Sequence, residues 1–215
     1  MKEFLRRHRH AWLLTYFFIY LIWFSLLEKY AVPVFYTHCR LDDLIPFCPW
    51  FVIPYFLWFP YVAVMMAATC LRSRPVFCRL CMTLYTGMTL CLLFYTICPS
   101  GQLLRPELTG NSGLLAGLTS RLYAVDTCTN VCPSIHVYNT LCVHYAVCTW
   151  EETRKRKAVV AASWVLMILI NASIVFLKQH SIVDGFAALG LWIVIKGLLR
   201  LATVRRNRKA ESLSL

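Results

Sequence analysis

The run AVVAASWVLMILINASIVFL (residues 158–177), followed at once by KQHSIVD (residues 178–184), decides how this chain is read. No ionisable side chain interrupts the first segment, and about 20 such residues in a helix cross a hydrocarbon layer ~30 Å thick. Lys178, His180 and Asp184 then return together, as expected where a helix emerges at a bilayer surface. Working outward, comparable apolar blocks run from Ala11 to Leu27, Trp50 to Leu71, Val76 to Cys98, His136 to Trp150 and Ser181 to Leu201. With Ala158 to Leu177 they give six candidate spans. The block from His136 is short and holds His136, Asn139 and His144, so it is expected to pack inside the bundle rather than face lipid. The blocks are continuously apolar rather than alternating, which favours helices over a barrel. The expectation is a single all-α, polytopic membrane domain spanning residues 1–215.

Composition agrees. The 215 residues are 59% hydrophobic and 15% charged, against roughly 45–50% and about 25% in ordinary soluble domains, which argues against a soluble globule and against disorder. The formal net charge of +12 fits nucleic acid, anionic lipid or topology signals, and its placement decides among them. Lys2, Arg6, Arg7, Arg9, Arg72, Arg74, Arg79, Arg154 to Lys157, Lys196, Arg200, Arg205, Arg206, Arg208 and Lys209 all fall on one side of the six-span layout. Only Lys29, Arg40, Arg105, Arg121 and Lys178 fall on the other. The positive-inside rule then places both termini in the cytoplasm and explains the charge without nucleic acid. The basic start and first apolar run are expected to form an uncleaved anchor, since no small-x-small cleavage site follows. Of the 11 cysteines, seven lie in the apolar blocks, where they read as small packing residues, including the Cys78/Cys81 pair. Cys39, Cys48, Cys128 and Cys132 fall in external loops and can pair in an oxidising compartment.

Ionisable groups at membrane helix ends are costly, so their clustering is informative. Arg105, Ser134 with His136, and Lys178 with His180 and Asp184 come from three parts of the chain, yet all fall at the external face. His180 and Asp184 are four apart and share a helix face, which lets the carboxylate orient the imidazole; read alone, the pair is equally a helix cap. Pro133 and Ser134 suit a helix start, where free N–H groups favour an anion. Arg105 offers a planar fork for phosphate oxygens, Lys178 a point charge and Gln102 further donors. Asp42 and Asp43 are expected to be solvated. His144 and Asn139 are expected to make hydrogen bonds between helices.

The strings CPSGQLLRP (98–106), PSIH (133–136) and SIVFLKQHSIVD (173–184) resemble the three signature motifs of the type 2 phosphatidic acid phosphatase superfamily, KxxxxxxRP, PSGH and SRxxxxxHxxxD. Cys98 stands where that pattern has Lys, Ile135 where it has Gly, and Ile174 where it has Arg. The Pro-Ser-x-His form looks like the divergent branch that includes phosphosphingolipid synthases. The resemblance implies a lipid phosphate phosphatase at the outer leaflet of the plasma membrane, using no metal or other cofactor. His180 would be the nucleophile, His136 the acid and base, and Asp184 the residue that orients His180. Arg105, Lys178, Ser134 and Gln102 would hold the phosphate. The substrate would be a phosphatidate, a phosphatidylglycerophosphate or a polyprenyl diphosphate. A phospho-headgroup transferase similar to sphingomyelin or inositol phosphorylceramide synthases is the second reading. A carrier that binds the same lipid anion without turning it over is a third.

Overall fold

The computed structural model describes residues 8–108 and 113–212; Lys2, Arg6 and Arg7 lie outside them, as do the side chains of Arg208 and Lys209. A 3-10 turn (Arg9–Thr15) leads into α1 (Tyr16–Tyr30), followed by α2 (Arg40–Leu44), α3 (Val52–Arg72), α4 (Arg74–Ile97) and α5 (Leu114–Val125). The second half holds α6 (Ile135–Thr149), α7 (Glu151–Arg154), α8 (Lys157–Phe176) and α9 (Ile182–Ser212). Among the described residues, strand is confined to the parallel pair β1 (Phe35–Tyr36) and β2 (Ser100–Gly101). Five helical stretches are long and apolar enough to cross a bilayer: Arg9–Tyr30, Pro49–Arg72, Arg74–Ile97, Lys157–Phe176 and Ile182–Asn207. The chain is thus an all-helical integral membrane protein.

α6 is the helix around which the others gather. Its 15 residues rise only about 22 Å, short of a ~30 Å core. It packs against α3, α4, α8 and α9. Val137, Tyr138, Asn139, Thr140, Cys142, Val143, Ala146 and Val147 are all buried, as expected of a helix enclosed by its neighbours. It approaches α4 closely at Gly87. A Cβ there would lie 2.0 Å from the Tyr138 ring, and Tyr138 Oη donates to the Thr83 carbonyl at 2.6 Å. Gly87→Ala is therefore expected to displace α6, at a cost of about 1–3 kcal/mol for overpacking, seen as a lower unfolding midpoint in detergent. An unchanged midpoint would mean that the crossing is looser than described.

Polar side chains inside the bundle join helices. Ser163 Oγ is hydrogen-bonded to Tyr61 Oη at 2.7 Å and to His144 Nδ1 at 3.0 Å, linking α8, α3 and α6. His144 thus has the interhelical role expected of it, whereas Asn139 Oδ1 is buried without a partner among the described residues. Cys81 is fully buried in the core, and Cys39, Cys48, Cys128 and Cys132 are free thiols.

Charge segregates along the bundle. At one end Arg72, closing α3, reaches Glu152 of α7 at 3.6 Å, and His10 Nε2 is bonded to the Cys70 carbonyl at 2.8 Å, bringing the amino-terminal turn to that same end. At the opposite end, β1 and β2 pair Phe35 with Ser100 and Tyr36 with Gly101. Ser100 Oγ accepts from the N–H groups of Val131 and Cys132 at 3.1 and 2.9 Å. Three loops, before α3, after α4 and before α6, are thereby sewn into one cap over the starts of α6 and α9.

Candidate active site

His180 sits in the turn between α8 and α9. α8 ends in a paired-bond cap: Gln179 N–H donates to the Ile174 carbonyl at 2.8 Å and Lys178 N–H to the Val175 carbonyl at 3.0 Å, with Lys178 left-handed at φ 54°. Glycine is usual at this position. The left-handed backbone costs a lysine about 1–2 kcal/mol. Two hydrogen bonds from its ammonium, to the carbonyls of Asp42 at 2.6 Å and Ile45 at 2.5 Å, outweigh this at ~1.5–3 kcal/mol each. Lys178 is therefore a staple between the α2 loop and the His180 turn, and its charge does not face the histidines.

Asp42 is fully buried rather than solvated. It accepts from Ser181 Oγ at 2.6 Å, Ile182 N–H at 2.9 Å and Cys39 N–H at 2.8 Å, so a distant loop caps α9. Asp43 is exposed and pairs with His38. Burial opposes ionisation of Asp42, but the hydrogen bonds from Ser181, Ile182 and Cys39 prevail and hold its carboxyl below the usual carboxylate range. A carboxylate depressed in the folded state stabilises fully above its unfolded value near ~3.9, and that stabilisation is lost as pH falls through the lower folded value. The unfolding midpoint should fall on acidification below about pH 4, and less steeply in Asp42→Asn. Parallel acid limbs in the two proteins would refute this role.

The two imidazoles meet: His136 in the first turn of α6 and His180 have ring centroids 5.6 Å apart. His180 Nδ1 lies 3.4 Å from Asp184 Oδ2, within ion-pair distance but without a hydrogen bond, and Nε2 is on the other side of the ring. Asp184 is fully buried; its Oδ2 accepts Ser181 N–H at 2.9 Å and its carbonyl accepts Ser134 N–H at 3.1 Å, which locks the start of α9 to the start of α6. Ser134 Oγ, His180 Nδ1 and Asp184 Oδ1 are buried with no hydrogen-bond partner among the described residues. Such orphaned groups concentrate where a site has chemistry to do.

Arg105 reaches this region, held tightly. Its guanidinium donates to the carbonyls of Tyr123 at 3.2 Å and of Asp126 and Thr127 at 2.7 Å, and to Gln179 Oε1. It lies over the Tyr123 ring at 4.4 Å. Its Nε is buried without a hydrogen-bond partner among the described residues. Gln102 is a buttress: its Nε2 donates to the Lys178 carbonyl at 2.8 Å and its Oε1 accepts from Leu104 N–H at 2.6 Å. Ile174, where the resembled motif has Arg, is packed in the core, and Cys98 closes α4.

A cavity of about 700 Å³ opens beside the histidines. α1 and α3 form its walls, notably Tyr20, Phe24, Tyr55 and Trp58, and His136, His180 and Gln179 lie at its inner end. Tyr55 and Trp58 pack on the His136 ring at 4.9 and 4.7 Å. Ser134, Arg105, Lys178 and Gln102 lie behind the wall rather than in it. Three polar wall residues, Glu28, Asp126 and Gln179, carried no signal in the sequence; only Gln179 adjoins a motif histidine. The phenol of Tyr55 donates to Asp126. Exposed apolar side chains, Phe17 and Phe59 among them, line the outer part of the cavity and give it a lipid-compatible mouth. Comparison of the chain with protein-family models, with curated proteins and with solved structures finds no match.

Proposed function

We propose that the protein is a membrane phosphoryl-transfer enzyme acting on a phosphorylated lipid through a phosphohistidine, and that the convergence of His136 and His180 at the end of a lipid-sized cavity carries this reading. With Nδ1 turned to Asp184, His180 Nε2 attacks phosphorus: an N–P bond forms as the bond to the lipid oxygen breaks, and the departing alkoxide takes a proton from His136. Water then attacks the phosphohistidine with His136 as base, releasing phosphate and restoring His180. Asp184 offsets the positive charge on His180 in the same way that a triad carboxylate does. The backbone N–H groups in the first turn of α6, where Ile135 and His136 line the cavity, meet charge on the phosphoryl oxygens. The chemistry assigned to these side chains needs no metal, so turnover should survive EDTA.

A lipid phosphate phosphatase is the first form of this reading. One observation favours the second, transfer of a phospho-headgroup to an alcohol. The two fixed cations, Arg105 and Lys178, spend their donors on carbonyls and Gln179, so the cavity suits a singly charged phosphodiester better than a doubly charged monoester. The topology belongs to the same proposal: α6 completes a six-helix bundle with both termini in the cytoplasm and the site facing outward across the plasma membrane, in line with the arginines gathered at the far end. Release of phosphate or headgroup from purified protein, assayed over a lipid panel in EDTA with and without an added alcohol, tests the reading; no product above the His180→Gln background on any lipid would overturn it.

A further inference from the structure

Two carboxylates face the cavity, and neither has an ion-pair partner among the described residues. Glu28, on α1, is held by neutral donors: Thr127 N–H at 3.0 Å, Thr127 Oγ1 at 2.6 Å and Asn130 Nδ2 at 3.2 Å. Asp126 accepts from Tyr55 and from Gln179 Nε2, while Arg105 donates to its backbone carbonyl and forms no ion pair with its carboxylate. Hydrogen bonds orient these anions without cancelling their charge, and an uncompensated charge beside apolar surface is costly. The wall's own cations, Lys29 and Arg121, form no ion pair with either carboxylate: Lys29 lies over the Tyr30 ring at 5.2 Å and Arg121 is exposed. A third acceptor points the same way. Asn130, 4% exposed and part of the wall, uses its amide N–H groups on Glu28 and Thr129, which leaves its Oδ1 buried without a partner among the described residues.

Aromatic faces complete the pattern. Tyr20, Phe24 and Glu28 are spaced four apart on one face of α1, the first two stacked at 5.7 Å between ring centroids, and Tyr55 and Trp58 stand on the α3 side. Carboxylates among aromatic rings form the environment that attracts an organic ammonium, since each ring face adds attraction to a desolvated cation. A doubly charged phosphate placed there would be repelled.

We propose that the wall formed by Glu28, Asp126 and Asn130, with the rings of α1 and α3, binds the ammonium end of a zwitterionic phosphodiester headgroup. The enzyme's lipid therefore carries an amine beyond its phosphate. This rests on the function proposed above in one respect: the phosphate end is the one at His180. Tyr55 links the two ends, touching His136 with its ring and Asp126 with its hydroxyl.

The test is calorimetric titration of the full chain in maltoside micelles with phosphocholine, glycerol phosphate and inorganic phosphate. Phosphocholine should bind saturably and about tenfold or more tighter than either amine-free phosphate, and Glu28→Gln should weaken it about tenfold. Because Glu28 also anchors the loop of residues 127–130, Phe24→Leu serves as a variant that leaves the loop contacts in place; it should weaken phosphocholine severalfold with an unchanged unfolding midpoint. His180→Gln should retain phosphocholine binding while losing turnover, so the ammonium site and the nucleophile succeed or fail separately. Equal affinity for the three probes, or phosphocholine affinity unaltered in both Glu28→Gln and Phe24→Leu, would overturn the proposal.

Discussion

His180→Gln is expected to abolish turnover, with product formation on every lipid falling to the uncatalysed background while the protein remains folded. Glutamine keeps much of the shape and one hydrogen-bonding end, but its amide cannot attack phosphorus. The expected loss is larger than for any donor around it: removing a single charge-stabilising group typically costs on the order of 10²–10³ in rate, whereas without a nucleophile no covalent route remains. The surrounding geometry predicts that folding survives. The turn is held by backbone bonds to Ile174, by Lys178 on two carbonyls and by Asp42 on Ser181 and Ile182. None of these uses the imidazole. Residual turnover within about tenfold of the native protein would mean that another group carries the chemistry.

His136→Gln should produce the next largest effect, and a selective one. General acid–base catalysis contributes about 10²–10⁴, and the loss should depend on the leaving group. A lipid alkoxide needs the proton, so its release should fall by that full factor. An aryl phosphate ester with an acidic phenol departs without one, so formation of the phosphohistidine from it should be nearly unaffected, leaving its breakdown as the slow step. The 5.6 Å between the two ring centroids puts His136 within reach of a phosphoryl group held at His180. Equal losses in the rate of phosphohistidine formation from lipid and aryl substrates would assign His136 a packing role against Tyr55 and Trp58 instead.

Much of the bundle is legible in the sequence because a bilayer demands long apolar runs. Val76 to Cys98 reads directly as α4 (Arg74–Ile97), and Ala158 to Leu177 as α8 (Lys157–Phe176). The short fourth block, read as internal, is α6 at the centre of the bundle. Differences arise where something other than lipid sets an element's limits. α9 continues past Leu201 to Ser212, because a basic segment leaving the membrane has no reason to unwind. α5, 12 residues long, lies below the length a span requires and went uncounted.

The site was legible to the extent that its residues sit in short motifs. His136, His180 and Asp184 come together as their spacing implied, and Ser134 adjoins them. The roles of Lys178, Gln102 and Asp42 escaped because each is fixed by a partner far away in the chain. Lys178 and Asp42 are joined across 136 residues, and no local pattern of charge or periodicity records that meeting. Glu28 was hidden for a related reason: at the end of an apolar run it looks like any polar residue emerging from lipid, and only the fold brings residues 127–130 to it.

The account depends most on a bond between phosphorus and His180. The direct measurement is rapid quenching, at alkaline pH, of purified protein mixed with a lipid isotopically labelled at phosphorus, followed by peptide mapping of the label. The account predicts an acid-labile, base-stable label on the peptide containing His180, lost in His180→Gln, and, when a labelled aryl phosphate replaces the lipid, stronger in His136→Gln because breakdown alone is slowed. Turnover with no labelled peptide in either the native protein or His136→Gln, or label on a side chain other than His180, would contradict it.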